Sequence, residues 1–224
     1  MTYIIFGIIA IISYVVQINL RNKMQCYSKV QLPNGITGRD VAMRMLAQNG
    51  LSNVKVTQVD GYLTDHYNPA NHTVNLSKEI YYGNSVAAAA VAAHECGHAV
   101  QHATSYSFLQ LRSKLVPVVN FSSNIMPWVL LASIATIEIF PILMLIGIIL
   151  FATTTLFSFV TLPVEIDASR RALAWLNSAG ITSGAIHDQA KNALKSAAYT
   201  YVVAAISSLG TLIYYIIIYN SRRN

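Results

Sequence analysis

The stretch Ser85–Ala103, SVAAAAVAAHECGHAVQHA, decides how the rest of the chain is interpreted. Its many alanines favour a helix. The apolar run is shorter than the roughly 20 residues that a helix needs to cross a bilayer, and it is followed by three histidines. The sequence therefore predicts a helix that is buried within protein rather than in lipid.

This helix contains the pattern HExxH, formed by His94, Glu95 and His98. Histidines four residues apart lie about 40° apart around a helix, so both imidazoles can reach one metal ion. A carboxylate beside that face can take a proton from a zinc-activated water molecule and later pass it to a leaving amine. Histidines held only by hydrogen bonds are the alternative, but burying three such groups is costly unless they are paired or ligate a metal. Cys96 faces the opposite side, as a small buried residue.

A catalytic zinc ion needs a third protein ligand. The sequence offers six candidates: Glu165, Asp167, His102, His66, His72 and Glu79. We favour Glu165, which directly follows an apolar stretch, where an unpaired buried carboxylate would be costly. His102 lies one turn beyond His98, and three such histidines cannot easily close on one ion. The alternative for Glu165 is an interfacial ion pair with Arg170 or Arg171.

The composition indicates a membrane protein, because only 11% of the residues are charged, against about 25% in soluble domains. The formal charge of +6 arises from 15 scattered Lys and Arg residues. Without a basic run or a nucleic-acid motif, this charge does not indicate a nucleic-acid partner. Two lone cysteines, Cys26 and Cys96, provide no disulfide framework.

Four stretches are long and apolar enough to be predicted as transmembrane helices: Tyr3–Leu20, Val116–Ile137, Pro141–Leu162 and Ala198–Tyr219. The first could be a signal peptide, but it lacks a positive leading region and a cleavage site. Basic residues directly after it predict an outer N-terminus and a cytoplasmic segment that follows. Four spans then place Arg222 and Arg223 outside, against this charge rule.

We expect a mainly α-helical membrane protein with a small cytoplasmic α/β metallopeptidase unit. The predicted regions are a transmembrane anchor at 1–20, a cytoplasmic zinc-peptidase region at 21–115, a transmembrane hairpin at 116–162 that turns at Glu138, cytoplasmic helices with the third ligand at 163–197, and a fourth transmembrane helix and tail at 198–224.

Shorter elements are predicted within the cytoplasmic regions. Thr37 can cap a helix that ends at Asn49-Gly50. VKVTQV (54–59) alternates with strand period, and a hairpin is expected around residues 68–71. Pro163 is expected to end the third span, with a separate helix over Glu165–Leu176 that Gly180 can terminate.

Several segments together resemble the bacterial YugP-type neutral zinc metallopeptidases, nearly along the whole chain and in order. They are DHYNP (65–69), YYGNSVAAAAVAAHECGHAVQHA (81–103), LRSKLVPVVNFSSN (111–124), LPVEIDASRRAL (162–173) and AAYTYVVAA (197–205). More remotely, the chain is similar to membrane gluzincins, which pair HExxH with a downstream glutamate in a pattern that ends in Ala-Asp.

The resemblance implies one zinc ion on His94, His98 and Glu165, with Glu95 as the base, in a bacterial plasma membrane. Ser169 stands where the remote pattern has Asp, so Asp167 is the other candidate for a supporting role. By the same analogy, the strand around residues 65–68 either pairs with an extended substrate or is plain scaffolding.

Peptide hydrolysis also needs a donor to the oxyanion. The candidates are Tyr201, Tyr199, His66 and Arg170. We favour Tyr201, at the cytoplasmic end of the fourth span, although interfacial tyrosines are common without any catalytic role.

The sequence thus predicts a membrane-bound zinc endopeptidase whose partners are a protein or peptide substrate and the lipid bilayer. A non-catalytic zinc-stabilised scaffold is the alternative, but it would not need Glu95, and structural zinc prefers four protein ligands. A transporter is disfavoured because inverted repeats are not visible. A site at the cytoplasmic surface is favoured over an intramembrane site, because polar residues bound the HExxH run.

Overall fold

Seven helices and one small sheet make up the described residues, 2–136 and 138–223, of the computed structural model. The helices are α1 (Thr2–Tyr27), α2 (Gly38–Gln48), α3 (Lys78–Tyr82), α4 (Val86–Ala103), α5 (Ser107–Thr136), α6 (Pro141–Ser178) and α7 (Gly184–Arg223). The strands are β1 (Lys55–Val59), β2 (His66–Asn68) and β3 (Thr73–Ser77). The predicted mainly helical architecture is confirmed.

The chain forms two compact units. The first contains residues 2–106 and 164–200, and the second contains residues 107–136, 138–163 and 201–223. The sheet, α1 to α4 and the HExxH motif all belong to the first unit.

The sheet has the strand order β1-β3-β2, so β2 lies at an edge. Strand β3 pairs in parallel with β1, from Lys55 opposite Thr73 onward, and antiparallel with β2, where His66 lies opposite Asn75. The predicted strand over 54–59 and the predicted hairpin are both present, although the first strand of the hairpin has only three residues.

Helix α2 begins with the predicted cap. The Thr37 hydroxyl accepts a hydrogen bond from the amide of Asp40, and the amide of Thr37 donates to the Asp40 carboxylate. The hydrogen bond from the Thr37 side chain lowers the pKa of Asp40. The helix ends at Gln48 with Asn49 as its C-cap, and Gly50 follows with a φ of 73°. This reciprocal capping box fixes where α2 starts.

Helix α4 forms the centre of the first unit. Fourteen of its 18 residues are buried, which confirms a helix buried within protein. The Cys96 thiol lies 3.6 Å from the backbone carbonyl of Ala42 on α2, as expected for a small buried residue. Burial raises the pKa of this thiol.

Within the described part of the chain, three helices are long and apolar enough to cross a membrane by length and composition: Ser107–Thr136, Pro141–Ser178 and Gly184–Ser221. Large apolar side chains are exposed on them, among them Trp128 at 72% and Leu131 at 65%. Helix α1 extends beyond the predicted anchor to include Arg21 and Lys23, and its role as a fourth span stays a prediction. Ile137, the expected end of the second span, lies outside the described residues.

The expected break at Pro163 is wrong, because α6 runs without interruption from Pro141 to Ser178. Proline removes one helical hydrogen bond. The residues that follow are nevertheless held against α4: Val164 and Glu165 are buried, and the Val164 carbonyl accepts a hydrogen bond from Gln101. Tertiary packing therefore carries the helix past its proline. Helix α5 likewise contains two prolines, and it starts nine residues before the predicted span at Val116.

Candidate metal centre

His94 and His98 of α4 meet Glu165 of α6 in the first unit. One donor atom from each of these residues lies within 4.8 Å of the other two. Glu165 Oε2 lies 3.3 Å from His94 Nε2 and 3.6 Å from His98 Nε2. Two ligands of a tetrahedral zinc ion, each bound at about 2.0–2.1 Å, lie roughly 3.4 Å apart. The spacings therefore fit a zinc ion bound by all three residues.

The buried side chain of Gln101 determines which nitrogen of His98 faces Glu165. The Gln101 amide nitrogen donates to the Val164 carbonyl, at 2.8 Å, and to Asp167 Oδ2, at 3.0 Å. Because both partners can only accept, the amide oxygen faces His98 Nδ1, 3.1 Å away. His98 Nδ1 therefore carries a hydrogen, which leaves Nε2, beside Glu165, as the nitrogen that can bind a metal ion.

His94 has a comparable partner on α6. Its Nδ1 lies 3.1 Å from the hydroxyl of Ser169, four residues after Glu165. Ser169 thus contacts His94 from the position where the remote pattern has Asp. Asp167 contacts neither of these histidines by a hydrogen bond in the described residues, and it accepts from Gln101, Arg170 and Arg171. Both arginines therefore bind Asp167, which disfavours the alternative that they serve as ion-pair partners of Glu165.

The electrostatics of the centre favour positive charge. Burial alone disfavours the charged imidazole of His98, but the hydrogen bond and charge of Glu165 raise the pKa of His98 in net. A buried carboxylate thus makes the space between the imidazoles attractive to a proton or a metal ion.

Gly97 allows the two helices to approach closely enough for this geometry. A Cβ atom at Gly97 would lie 2.6 Å from the carbonyl oxygen of Ala168 on α6. Because real Cβ atoms do not approach backbone so closely, only glycine fits here. The backbone contact lies one residue before His98 and three residues after Glu165, so it sets the distance between ligands from different helices.

Glu95 lies outside the ligand group and contacts the edge of the sheet. Its Oε2 accepts a hydrogen bond of 3.0 Å from the backbone amide of Tyr67 in β2. Nearby Asp65 has a raised pKa, mainly because of burial and in smaller part because of the charge of Glu95. The expected base is therefore buried beside the candidate ligands, and one of its oxygens accepts a hydrogen bond from a strand.

The other candidate ligands do not join this group within residues 2–136 and 138–223. His102 Nδ1 lies 3.0 Å from the Tyr67 hydroxyl, and His66 Nδ1 lies 2.8 Å from the Thr64 carbonyl. His72 lies beside His102, Asp167 binds the arginines, and Glu79 is exposed on α3.

Three of the four candidate oxyanion donors have other partners within the first unit. Arg170 binds Asp167, Tyr199 lies under the ammonium group of Lys195, and His66 hydrogen-bonds within the sheet region. Tyr201 belongs to α7 in the second unit, and its role stays a prediction.

Two contributions were missed by the sequence analysis. Gln101 lies three residues after His98, and a polar side chain at this position of an apolar helix was a usable signal. Tyr67 contacts Glu95 through its backbone amide. Almost every residue has such an amide, so the sequence could not indicate this contact.

Comparison with known proteins agrees with this geometry. The family described as "Putative neutral zinc metallopeptidase" matches residues 2–220. The chain is 40% identical over 225 residues to "Putative membrane protease YugP" of Bacillus subtilis (strain 168), and the match covers 100% of this chain and 99% of that protein. No solved structure matches significantly. Since the family match spans almost the entire sequence, the chain belongs to this family of neutral zinc metallopeptidases.

Proposed function

We propose that the chain is a membrane-bound zinc endopeptidase that cleaves membrane or membrane-adjacent proteins at the cytoplasmic face. One observation carries this proposal: two imidazole nitrogens and a carboxylate oxygen converge at zinc-ligand spacing beside a carboxylate that is not a ligand. The ligands are His94, His98 and Glu165, and the general base is Glu95.

The number of ligands favours catalysis over a structural role. Structural zinc sites are usually closed by four protein ligands, whereas catalytic sites have three and an open position. The group found among the described residues has three members. A buried carboxylate that leaves the ligands untouched has no use in a scaffold, so the alternative of a non-catalytic zinc-stabilised module is disfavoured.

Zinc, when bound, supplies a Lewis acid that makes a water molecule nucleophilic near neutral pH. The amide of Tyr67 holds one oxygen of Glu95, so the other oxygen accepts the proton of the attacking water. The water oxygen bonds to the substrate carbonyl carbon, and the peptide C–N bond breaks. Glu95 then returns the proton to the leaving amine.

The membrane assignment rests on α5, α6 and α7, which are long and apolar enough to span, with α1 as the proposed fourth span. The name of the Bacillus subtilis relative includes the words membrane protease. We place the enzyme in the plasma membrane as a multi-pass protein. The basic residues after α1's apolar stretch support a site on the cytoplasmic side.

Cleavage of an unfolded test protein by detergent-purified, zinc-loaded protein tests the proposal. Glu95→Gln keeps the size of the side chain but removes the base, so we expect cleavage to fall by at least about 100-fold, at the lower end of what base catalysis supplies. Zinc content should remain that of the parent. Equal cleavage by both proteins would indicate a contaminant, and inactivity of both with zinc bound would favour the scaffold.

A further inference from the structure

Tyr67 contacts helix α4 at two points. Its backbone amide donates to Glu95 Oε2, at 3.0 Å, and its hydroxyl lies 3.0 Å from Nδ1 of His102. Glu95 and His102 are seven residues apart, which corresponds to about 10 Å along a helix. The single residue Tyr67 therefore spans nearly two turns of the metal-binding helix, from the expected base to the last histidine.

The strand that carries Tyr67 is short and lies at the edge of the sheet. Strand β2 has three residues and only one neighbouring strand. The Asp65 carboxylate accepts from the amide and hydroxyl of Ser77, which ties the start of β2 to β3. That contact lies within the sheet region. The contacts of Tyr67 with Glu95 and His102 join β2 directly to α4, and the half-buried Tyr67 ring also packs against the main hydrophobic core.

The phenol contact is well formed, although it is solvent-accessible. The rings of Tyr67 and His102 have centroids 5.8 Å apart, and the ring of His72 lies 5.6 Å from that of His102. His72 Nδ1 is 3.5 Å from the Tyr67 hydroxyl, a longer approach than that of His102. His102 is therefore the principal partner of the phenol.

We infer that His102 and the Tyr67 side chain are positioning residues for Glu95, an inference that rests on the proposed function. Their contact holds β2 on α4, and β2 in turn presents the Tyr67 amide to the Glu95 carboxylate. The third histidine of the helix thus serves the base rather than the metal. Neither side chain touches the reacting atoms in this arrangement.

This role predicts a particular kinetic defect. A net hydrogen bond contributes about 1 kcal/mol, or roughly fivefold, and small displacements of a catalytic group cost up to about 100-fold in rate. We therefore expect Tyr67→Phe and His102→Ala each to lower kcat about tenfold. KM should change less than about twofold, and zinc content should stay at the parent value.

The test is a double-mutant cycle on the full-length, zinc-loaded protein, with an unfolded test protein as substrate. If both residues act through one contact, the double variant should lose no more activity than the more impaired single variant. His102→Gln, which can still hydrogen-bond the phenol, should recover most of kcat. Tyr82→Phe, at an exposed tyrosine of α3, is the matched control and should behave as the parent.

Hydrogen exchange at the amides of residues 66–68 supplies a readout that does not need activity. Exchange should accelerate equally in both single variants and no further in the double variant. Additive losses of kcat, a raised KM with unchanged kcat, or unaltered exchange would each overturn the inference. If the parent is inactive but its hydrogen exchange still responds as described, the proposed peptidase function is wrong. The contact that anchors β2 to α4 would then stand, but Glu95 would not act as a base.

Discussion

Gly97→Ala is the substitution whose effect the geometry of the metal centre predicts most sharply. The added Cβ would lie 2.6 Å from the Ala168 carbonyl oxygen, whereas ordinary contacts of this kind begin at about 3.4 Å. Helices α4 and α6 must therefore separate by roughly 0.8 Å at the point where their ligands meet. Ligand distances at a metal site are set to within about 0.2 Å, so the three donors could no longer close on one ion without strain.

Two opposing energies decide the size of the effect. Alanine favours a helix over glycine by about 1 kcal/mol, while overpacking a tight contact costs about 1–3 kcal/mol. Helix propensity acts on α4 whether or not zinc is bound. The steric cost opposes the approach of Glu165 to His94 and His98, whose Nε2 atoms lie 3.3 and 3.6 Å from its Oε2. We expect zinc affinity to fall roughly tenfold to 100-fold, with little loss of helix content.

Competition with a chromogenic chelator measures this affinity directly, and circular dichroism reports helix content. Gly7→Ala is the matched control, since no described atom lies within 4 Å of a Cβ atom at Gly7. Parent-like zinc affinity in Gly97→Ala would refute the claim that the backbone contact between α4 and α6 sets the ligand geometry.

Two further substitutions test the surroundings of the site. Gln101→Met keeps the side-chain volume but removes the acceptor for His98 Nδ1 and the donor to Asp167. Zinc affinity, measured by chelator competition, should therefore fall about 10- to 100-fold. Parent-like affinity would show that His98 is oriented by other means. Tyr201→Phe should lower kcat by about 100-fold with zinc retained if this hydroxyl stabilises the oxyanion, whereas Tyr199→Phe should leave it unchanged. An equal response of both tyrosine variants in the cleavage assay would reject Tyr201 as the donor.

The grouping of His94, His98 and Glu165 could be predicted because it depends largely on helix periodicity. His94 and His98 are four residues apart, so they lie on one face of α4 once it is helical. Glu165 stood out as a carboxylate directly after an apolar span. The supporting contacts could not be predicted in the same way. Serine and glutamine are also common at protein surfaces, so their presence alone does not indicate a role. Only the packing of α6 on α4 shows which polar atoms Ser169 and Gln101 face.

The errors in the fold have a common physical origin. Local rules at Pro163 predicted a break, but buried neighbours on α4 keep α6 continuous. Strand β2 and helix α3 have three and five residues, too few for periodicity to define their limits. In α4 the sequence pattern was sufficient to define the helix. Helix α7 starts at Gly184, well before the predicted span at Ala198. Where an element is short or is held by distant residues, packing decides its limits.

Titration of zinc back into chelator-treated protein, with cleavage followed in the same samples, tests the central claim most directly. If His94, His98 and Glu165 hold one catalytic ion, cleavage should rise in proportion to added zinc and level off at about one ion per chain. Cleavage that persists without zinc, or a full complement of zinc that never restores it, would contradict the assignment of this protein as a zinc peptidase.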